Sequence, residues 1–352
     1  MRTTEEVQEM ADEMTAPKVK TADEVGNGMS KREAKRIRMG SMSASEKGYL
    51  RRKAIADKAV PLFRFIILFG LGFIIMYPLI YMISCSFRER SDMSDPTVMW
   101  IPRHYTLQVI AETLDAMDYW KTLGNTLLLN IGCSLVQVVS CAVTGYGFAR
   151  FRFRGKKLFF VIVVMMILVP TQVISLPLYT QFRYFGIKGL FTVNLIDSRL
   201  TMYLPAMTAN GIRSGLMILI FHQFFKGLPR EIEDAAYIDG CGPFMTFVRV
   251  MAPNAASAFL TVFLFSVVWY WNDYYVSNTF FTNNKTIALM LTNLDSQLKI
   301  KLFDDPTLQI SPREQIVWKE AGCLLSIAPV LLLYVCLQKH FTEGIERSGL
   351  VG

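Results

Sequence analysis

Three stretches of this chain, 65–87, 122–149 and 158–182, contain no Asp, Glu, Lys or Arg at all. Each exceeds the roughly 20 residues that an α-helix rising 1.5 Å per residue needs to cross about 30 Å of hydrocarbon. Two more charge-free runs, 255–272 and 321–338, lie near the lower length limit and end in aromatic or polar residues suited to a membrane interface. A sixth, 200–225, is apolar but interrupted by Arg213 and His222. With only 19% charged side chains against 52% apolar ones, the chain is depleted in charge relative to the roughly 25% of soluble domains. The expected fold class is an all-α membrane protein, a polytopic bundle of six transmembrane helices. Its spans are placed at about 65–87, 122–149, 158–182, 200–225, 255–276 and 321–338.

The net charge of +8 then reads as topology. Lys and Arg near span ends are retained on the cytoplasmic side. The tail carries Lys31, Arg32, Lys35, Arg36, Arg38, Arg51, Arg52 and Lys53, and the short connection after the second span carries Arg150, Arg152, Arg154, Lys156 and Lys157 without an acid between them. Two spans separate these clusters, so both can face the cytoplasm. With six spans the carboxyl end does too. The resulting organisation is a polar cytoplasmic tail over 1–60, a membrane domain over 61–341 with a cytoplasmic loop at 226–254, and a cytoplasmic tail over 342–352. Residues 44–60 are expected to form a helix lying on the inner leaflet. Acids interleaved in the tail, Glu5 to Glu24 among them, argue for a solvated segment and against a nucleic-acid partner.

Enzymatic chemistry has little to draw on. The three histidines, His104, His222 and His340, fall in separate segments, and the six cysteines include no C-x-x-C pair, so neither a metal site nor a disulfide frame is expected. The sole Gly-Lys dipeptide, Gly155-Lys156, has Arg150 and Lys157 where a phosphate loop requires Gly and Ser or Thr. Gly145-Tyr146-Gly147 closes an apolar helix with no strand before it, which suits helix packing through small residues.

The cytoplasmic loop is the most patterned segment. Pro229 suits the first position of a helix, and Glu231, Glu233 and Asp234 follow where the helix dipole favours carboxylates. A helix is expected to about Ile238, stopped by Gly240, Gly242 and Pro243, with a second arm on which Phe244, Phe247, Val248 and Met251 recur at helical spacing. Ala235 and Ala236 are small enough to admit another surface closely.

This loop resembles the EAA loop of binding-protein-dependent ABC importer permeases, in which Glu-Ala-Ala is followed after three residues by Gly and later by a run ending in Pro. Asp234-Ala235-Ala236, Ile238-Asp239-Gly240 and Val250-Met251-Ala252-Pro253 occupy those positions, with Asp234 for Glu and Ala252 for Leu. Asn125-Thr126, Tyr146-Gly147-Phe148-Ala149-Arg150-Phe151, Pro170, Pro177, Gln223-Phe224-Phe225, Trp271-Asn272-Asp273 and the Gly-rich end from Phe341 are similar to the carbohydrate, maltose-type branch. The resemblance covers about 62–352. It implies a non-catalytic transport subunit that binds no cofactor, with ATP and Mg held by cytoplasmic ABC ATPase subunits that dock the loop through Glu233, Asp234, Ala235, Ala236, Asp239, Gly240 and Pro253. It also implies a second permease subunit, an extracellular or periplasmic sugar-binding protein, and a sugar or oligosaccharide as cargo.

Polar groups in the spans are candidates for the substrate path: Gln172 beside the Pro170 kink, Asn210, Arg213, and Asn272 with Asp273 below Trp269, Tyr270 and Trp271. Interhelical hydrogen bonding is the alternative reading of the same residues. The outward segment 281–320, with Asn283, Asn284, Asp304 and Asp305, is the expected face for the binding protein. A secondary transporter acting alone would fit six spans and Arg213 but leave the docking loop without a purpose. An ABC permease for a non-sugar solute would share the loop alone.

Overall fold

The structure, a computed structural model, describes residues 43–349 apart from Arg90, Met93, Ser94, Pro96, Met99 and Lys188. Most of the polar tail and the last three residues of the chain therefore lie outside the described residues, as do the basic side chains of its first cluster. The chain divides after Leu79 into two units.

The first unit holds most of helix α1 (Ala44–Ser86). Ser43 Oγ accepts the Glu46 backbone N–H, and the Glu46 carboxylate accepts that of Ser43 at 2.7 Å, a reciprocal cap that starts the helix. Residues 44–60, expected as a separate surface helix, are continuous with the first span. The capping box nucleates at Ala44, and the helix runs on through Pro61 and Pro78. Phe65, Ile74, Ile75 and their neighbours are exposed along it, as suits a helix solvated by lipid.

The second unit is built around one long helix. After α2 (Gln108–Ala116), helix α3 (Tyr119–Arg150) buries a stripe of small and polar residues, Thr122, Thr126, Asn130, Cys133, Ser134, Gln137, Cys141 and Gly145, against its neighbours. Helices α4 (Lys156–Leu168) and α5 (Thr171–Arg183) follow, then a hairpin of β1 (Phe185–Ile187) and β2 (Phe191–Val193) paired antiparallel with Phe185 opposite Val193. Helices α6 (Leu200–Met207) and α7 (Ser214–Gly227) pack on α3. The loop contributes α8 (Arg230–Ile238) and a second arm made of α9 (Pro243–Thr246), a π-helical turn (Phe247–Met251) and α10 (Ala252–Asn254). Helix α11 (Ala256–Trp271), three short helices α12 (Tyr275–Phe280), α13 (Ile287–Thr292) and α14 (Leu294–Phe303), and the long α15 (Pro312–Gly349) complete the chain.

Among the described residues, three helical stretches are long and apolar enough to span a membrane: Asp57–Ser86, Tyr119–Arg150 and Pro312–Cys336. They carry the predicted spans at 65–87, 122–149 and 321–338. The run at 158–182 is instead a bent pair, with α4 and α5 meeting at 106° where Pro170 lacks the N–H to continue the ladder. The run at 200–225 is not one helix. Ala209 (φ 53°) and Arg213 (φ 57°) are left-handed, and the Asn210 N–H turns back to the Pro205 carbonyl, so α6 and α7 are separate. The predicted 255–276 span stops at Trp271, because the Asp273 carboxylate accepts the Ser277 N–H at 2.9 Å and opens α12.

Breaking a helix at membrane depth frees backbone groups, and α3 answers them. Gln137 Nε2 donates to the Ile212 carbonyl (2.8 Å), Ser140 Oγ to that of Ala206 (2.6 Å), and the Cys141 thiol to that of Ser214 (3.9 Å). Irregular backbone is tolerable in a bilayer only where protein satisfies it in this way. The other side of Gln137 accepts the Tyr270 O–H at 2.6 Å, tying α11 into the same junction.

Candidate functional site: an exposed bracket and an intramembrane cavity

The loop forms a bracket at the end of the molecule where α3 and α7 finish. Helix α8 begins after Pro229, carries Glu231 and Glu233 in its first turn, and ends at Gly240, whose φ of +83° is the left-handed conformation that glycine adopts without strain. Cys241 N–H returns to the Ala236 carbonyl.

Spacing of three places Glu233 and Ala236 on the inner face of α8, and both are buried. The Glu233 carboxylate accepts the Tyr146 O–H at 2.6 Å and the Tyr237 O–H at 3.2 Å, and its second oxygen lies 3.3 Å from Arg150 Nε. The ion pair is enclosed, with the Arg150 side chain 6% and the Glu233 side chain 9% exposed. Arg150 also donates to the Leu228 carbonyl at 2.7 Å, so the last turn of α3 holds both the entry to α8 and its first turn. Tyr146 packs edge-on against Phe225 and beside Phe247, so α7 and the second arm join the same anchor. Burial raises the Tyr237 hydroxyl above its ordinary value; the neighbouring Tyr146 hydroxyl works against this and the Glu233 carboxylate adds to it.

The outer face of the bracket is different in kind. Asp234, Ala235, Ile238, Asp239, Gly240 and Pro253 are exposed, with Ile238 86% and Phe244 74% accessible, and Met245 and Val248 extend the apolar patch. Solvent rarely faces such a cluster of large apolar side chains unless a partner covers it.

The second feature is a cavity of about 310 Å³ where the helices break. Its walls come from α4 and α5 around the Pro170 bend, from the α6–α7 junction at 210–215, from Tyr270 near the end of α11 and from α12. The volume sits at the lower end of the ~300–1,000 Å³ of small-molecule pockets. Discontinuous helices at mid-membrane are where transporters bind their cargo.

Residues 142–347, more than half of the chain, match the family described as binding-protein-dependent transport system inner membrane component. The chain belongs to this family of transport permeases. Two curated relatives extend the match. One is the arabinooligosaccharides transport system permease protein of Halalkalibacterium halodurans, 25% identical over 307 residues that cover 84% of this chain and 99% of the relative. The other is the diacetylchitobiose uptake system permease protein of Streptomyces coelicolor, 24% identical over 284 residues, 79% of this chain and 92% of the relative. The fold is similar to that of a chain from a solved bacterial ABC transporter involved in the import of the acidic polysaccharide alginate. The TM-score is 0.63 at 20% identity, over 81% of this chain and 98% of that one.

Within this permease the predicted residues separate by location. In the bracket, Asp234, Ala235, Asp239, Gly240 and Pro253 face out, whereas Glu233 and Ala236 are turned into the permease's own core. On the substrate path, Asn210 and Arg213 line the cavity. The other three predicted path residues do not: Gln172 is exposed in the first turn of α5, Asn272 donates to the Val268 carbonyl of its own helix at 2.9 Å, and Asp273 is occupied as the cap of α12. The five are therefore not one cluster. Three residues emerge that the sequence reading used otherwise or passed over. In the sequence Arg150 reads as topology, Tyr146 as part of a Gly-x-Gly packing segment, and both as members of the family-like Tyr146–Phe151 motif, none of which points to Glu233; Gln137 is not singled out at all. The available signal was a long polar amide deep in a 28-residue charge-free run, which also holds Asn125 and Asn130 nearer its start.

Proposed function

We propose that this chain is the membrane-spanning subunit of an ATP-driven importer that carries a sugar or oligosaccharide across the bacterial plasma membrane. The observation that carries the reading is the two-faced α8: buried Glu233 fastened to Tyr146 and Arg150 of α3, exposed Asp234, Ala235 and Ile238 on the other side. A cytoplasmic ATPase subunit receiving that outer face would move α3 directly, because the inner face is bonded to its last turn. Two such ATPase subunits hold the ATP and Mg, and this subunit takes no part in hydrolysis. Differential docking in the two ATPase states then biases the permease between inward- and outward-facing arrangements.

The Glu233–Arg150 pair supports the topology too. It sets the acidic bracket beside the basic segment 150–157, and a basic segment belongs on the cytoplasmic side. Both chain termini then face the cytoplasm. The opposite end offers a face for an extracellular sugar-binding protein at 281–320, and a second permease subunit completes the translocation path. The sugar class rests on relatives named for arabinooligosaccharides and diacetylchitobiose. The test is uptake into proteoliposomes carrying this chain with its second permease, ATPase subunits and binding protein. Labelled oligosaccharide should accumulate only when ATP is supplied on the ATPase side. Uptake by this chain alone, driven by an ion gradient, would show a secondary transporter instead.

A further inference from the structure

The cavity has an unbalanced charge. Of the residues that line it, Arg213 is the one basic residue, and no Asp, Glu or Lys contributes to the wall. Among the described residues Arg213 makes no ion pair, and its guanidinium rests over the Trp269 ring, 5.7 Å from the centroid. Arg213 also sits at the N-terminal end of α7, whose 14 residues direct a partial positive charge to the same place. Arg213 is exposed to this otherwise uncharged cavity between apolar helices, a setting in which a lone arginine is found where function supplies the partner.

A second observation points the same way. Ser214, the next residue, lines the cavity and is 1% exposed, and its Oγ is buried without a hydrogen-bond partner. Buried hydroxyls are nearly always bonded, so an orphan on the residue that follows Arg213 marks a place for an acceptor. The rest of the wall is hydroxyl and apolar: Thr171, Ser175, Thr201 and Tyr275 stand among Met165, Met166, Ile174 and Leu178. An arginine fork, a hydroxyl donor and a helix N-terminus form a set that recognises a carboxylate.

We propose that this cavity binds the carboxylate of an acidic saccharide, a uronic-acid unit, with Arg213 as its counter-ion and Ser214 as hydrogen-bond donor. The proposal rests on the importer reading and narrows it from sugars in general to anionic ones. A neutral sugar would leave Arg213 unbalanced, and the small volume suits one end of an oligosaccharide passing through.

The test uses the complete importer in detergent, with Trp269 fluorescence as reporter and digalacturonate or the neutral disaccharide galactobiose as probe. We expect a saturable signal with digalacturonate and at least tenfold weaker half-saturation with galactobiose. Arg213→Gln should weaken digalacturonate tenfold or more, Arg213→Lys should restore part of it, Ser214→Ala should weaken it several-fold, and Trp269→Phe should remove the signal. Equal response to both probes, or an Arg213→Gln titration matching wild type, would overturn the proposal. So would loss of the second permease from purified Arg213→Gln complexes, which would make Arg213 an assembly contact. ATP-driven uptake of neutral oligosaccharide that Arg213→Gln leaves unchanged would sink the acidic-cargo proposal while leaving the importer reading intact. Failure of ATP to drive any saccharide uptake would sink the importer reading itself.

Discussion

Removing the Glu233 side chain should loosen the bracket from the membrane domain without unfolding the protein. In the native arrangement its carboxylate accepts from Tyr146 and Tyr237 and faces Arg150 Nε at 3.3 Å inside a shell that leaves 6–9% of either side chain exposed. Taking one partner from a buried ion pair costs about 3–5 kcal/mol, because the other charge stays desolvated. Arg150 keeps its bond to the Leu228 carbonyl, so the lower end applies to Glu233→Ala. At 1.4 kcal/mol per decade, about 3 kcal/mol raises the population of undocked α8 roughly a hundredfold. Hydrogen exchange of the α8 amides in the purified protein measures that opening. Tyr146→Phe leaves the ion pair in place and loses one bond to a charged group, about 1.5–3 kcal/mol, so its exchange should lie between wild type and Glu233→Ala. Replacing both charges, Glu233→Met with Arg150→Met, should recover most of the protection, since no charge is left stranded. Exchange in Glu233→Ala within threefold of wild type would refute the anchor, as would a double variant worse than the single ones.

Asp234 is exposed on the opposite face of α8. Asp234→Lys should therefore leave expression and thermal stability unchanged while uptake into proteoliposomes falls at least tenfold and ATP hydrolysis persists. Gln137→Leu strands the Ile212 carbonyl and the Tyr270 hydroxyl, at about 1–3 kcal/mol for each buried group, and should lower the melting temperature in detergent. Gly145→Val should do likewise: a Cβ there would lie 2.6 Å from Phe221 Cβ and 3.0 Å from the His222 backbone nitrogen, and overpacking costs about 1–3 kcal/mol. Gly147→Ala, with open space around it, is the matched control that should be neutral. On the opposite side, burial works against the Asp197 carboxylate, but N–H groups of Asn284, Asn283 and Thr282 and the Asn283 amide outweigh it and hold its pKa below the ordinary value. A lowered carboxyl pKa contributes stability that is fully present above the unfolded-state value of about 3.9 and is lost as pH falls through the folded-state value. Asp197→Asn should thus lower the melting temperature at pH 7 and flatten its decline in acid; an unchanged acid limb would count against the clamp.

Charge-free length was enough to read α1, α3 and the first part of α15 as spans, because the cost of a charge in hydrocarbon writes itself into composition. Helix α8 was legible end to end for a similar reason: Pro229, the early acids and Gly240 are local devices, and local energetics need no knowledge of the rest of the chain. The two broken runs were less legible. Pro170 signalled one bend, and Asn210-Gly211 is a turn signal inside 200–225, but nothing local calls for the left-handed Ala209 and Arg213 on either side of it. They are stable only because Gln137 and Ser140, some seventy residues away, satisfy the carbonyls that the break exposes.

Membership in a membrane-transport fold, the position of the bracket and its acidic, alanine-containing composition were thus determined by the sequence alone. Which way each bracket residue points was decided by tertiary packing: Glu233 and Asp234 are adjacent carboxylates of the same local propensity, yet one is buried against Tyr146 and Arg150 and the other faces solvent. Likewise Arg213, Asn272 and Asp273 read alike as polar groups in apolar runs, and the fold turned two of them to capping and backbone bonds and left Arg213 at the cavity. The physical reason is common to both cases. Composition reports what a side chain costs to bury, but whether that cost is met, and by which partner, depends on the folded chain: Glu233 meets Arg150 and Tyr146 from another helix, while Asn272 and Asp273 meet backbone four residues away where one helix ends and the next begins.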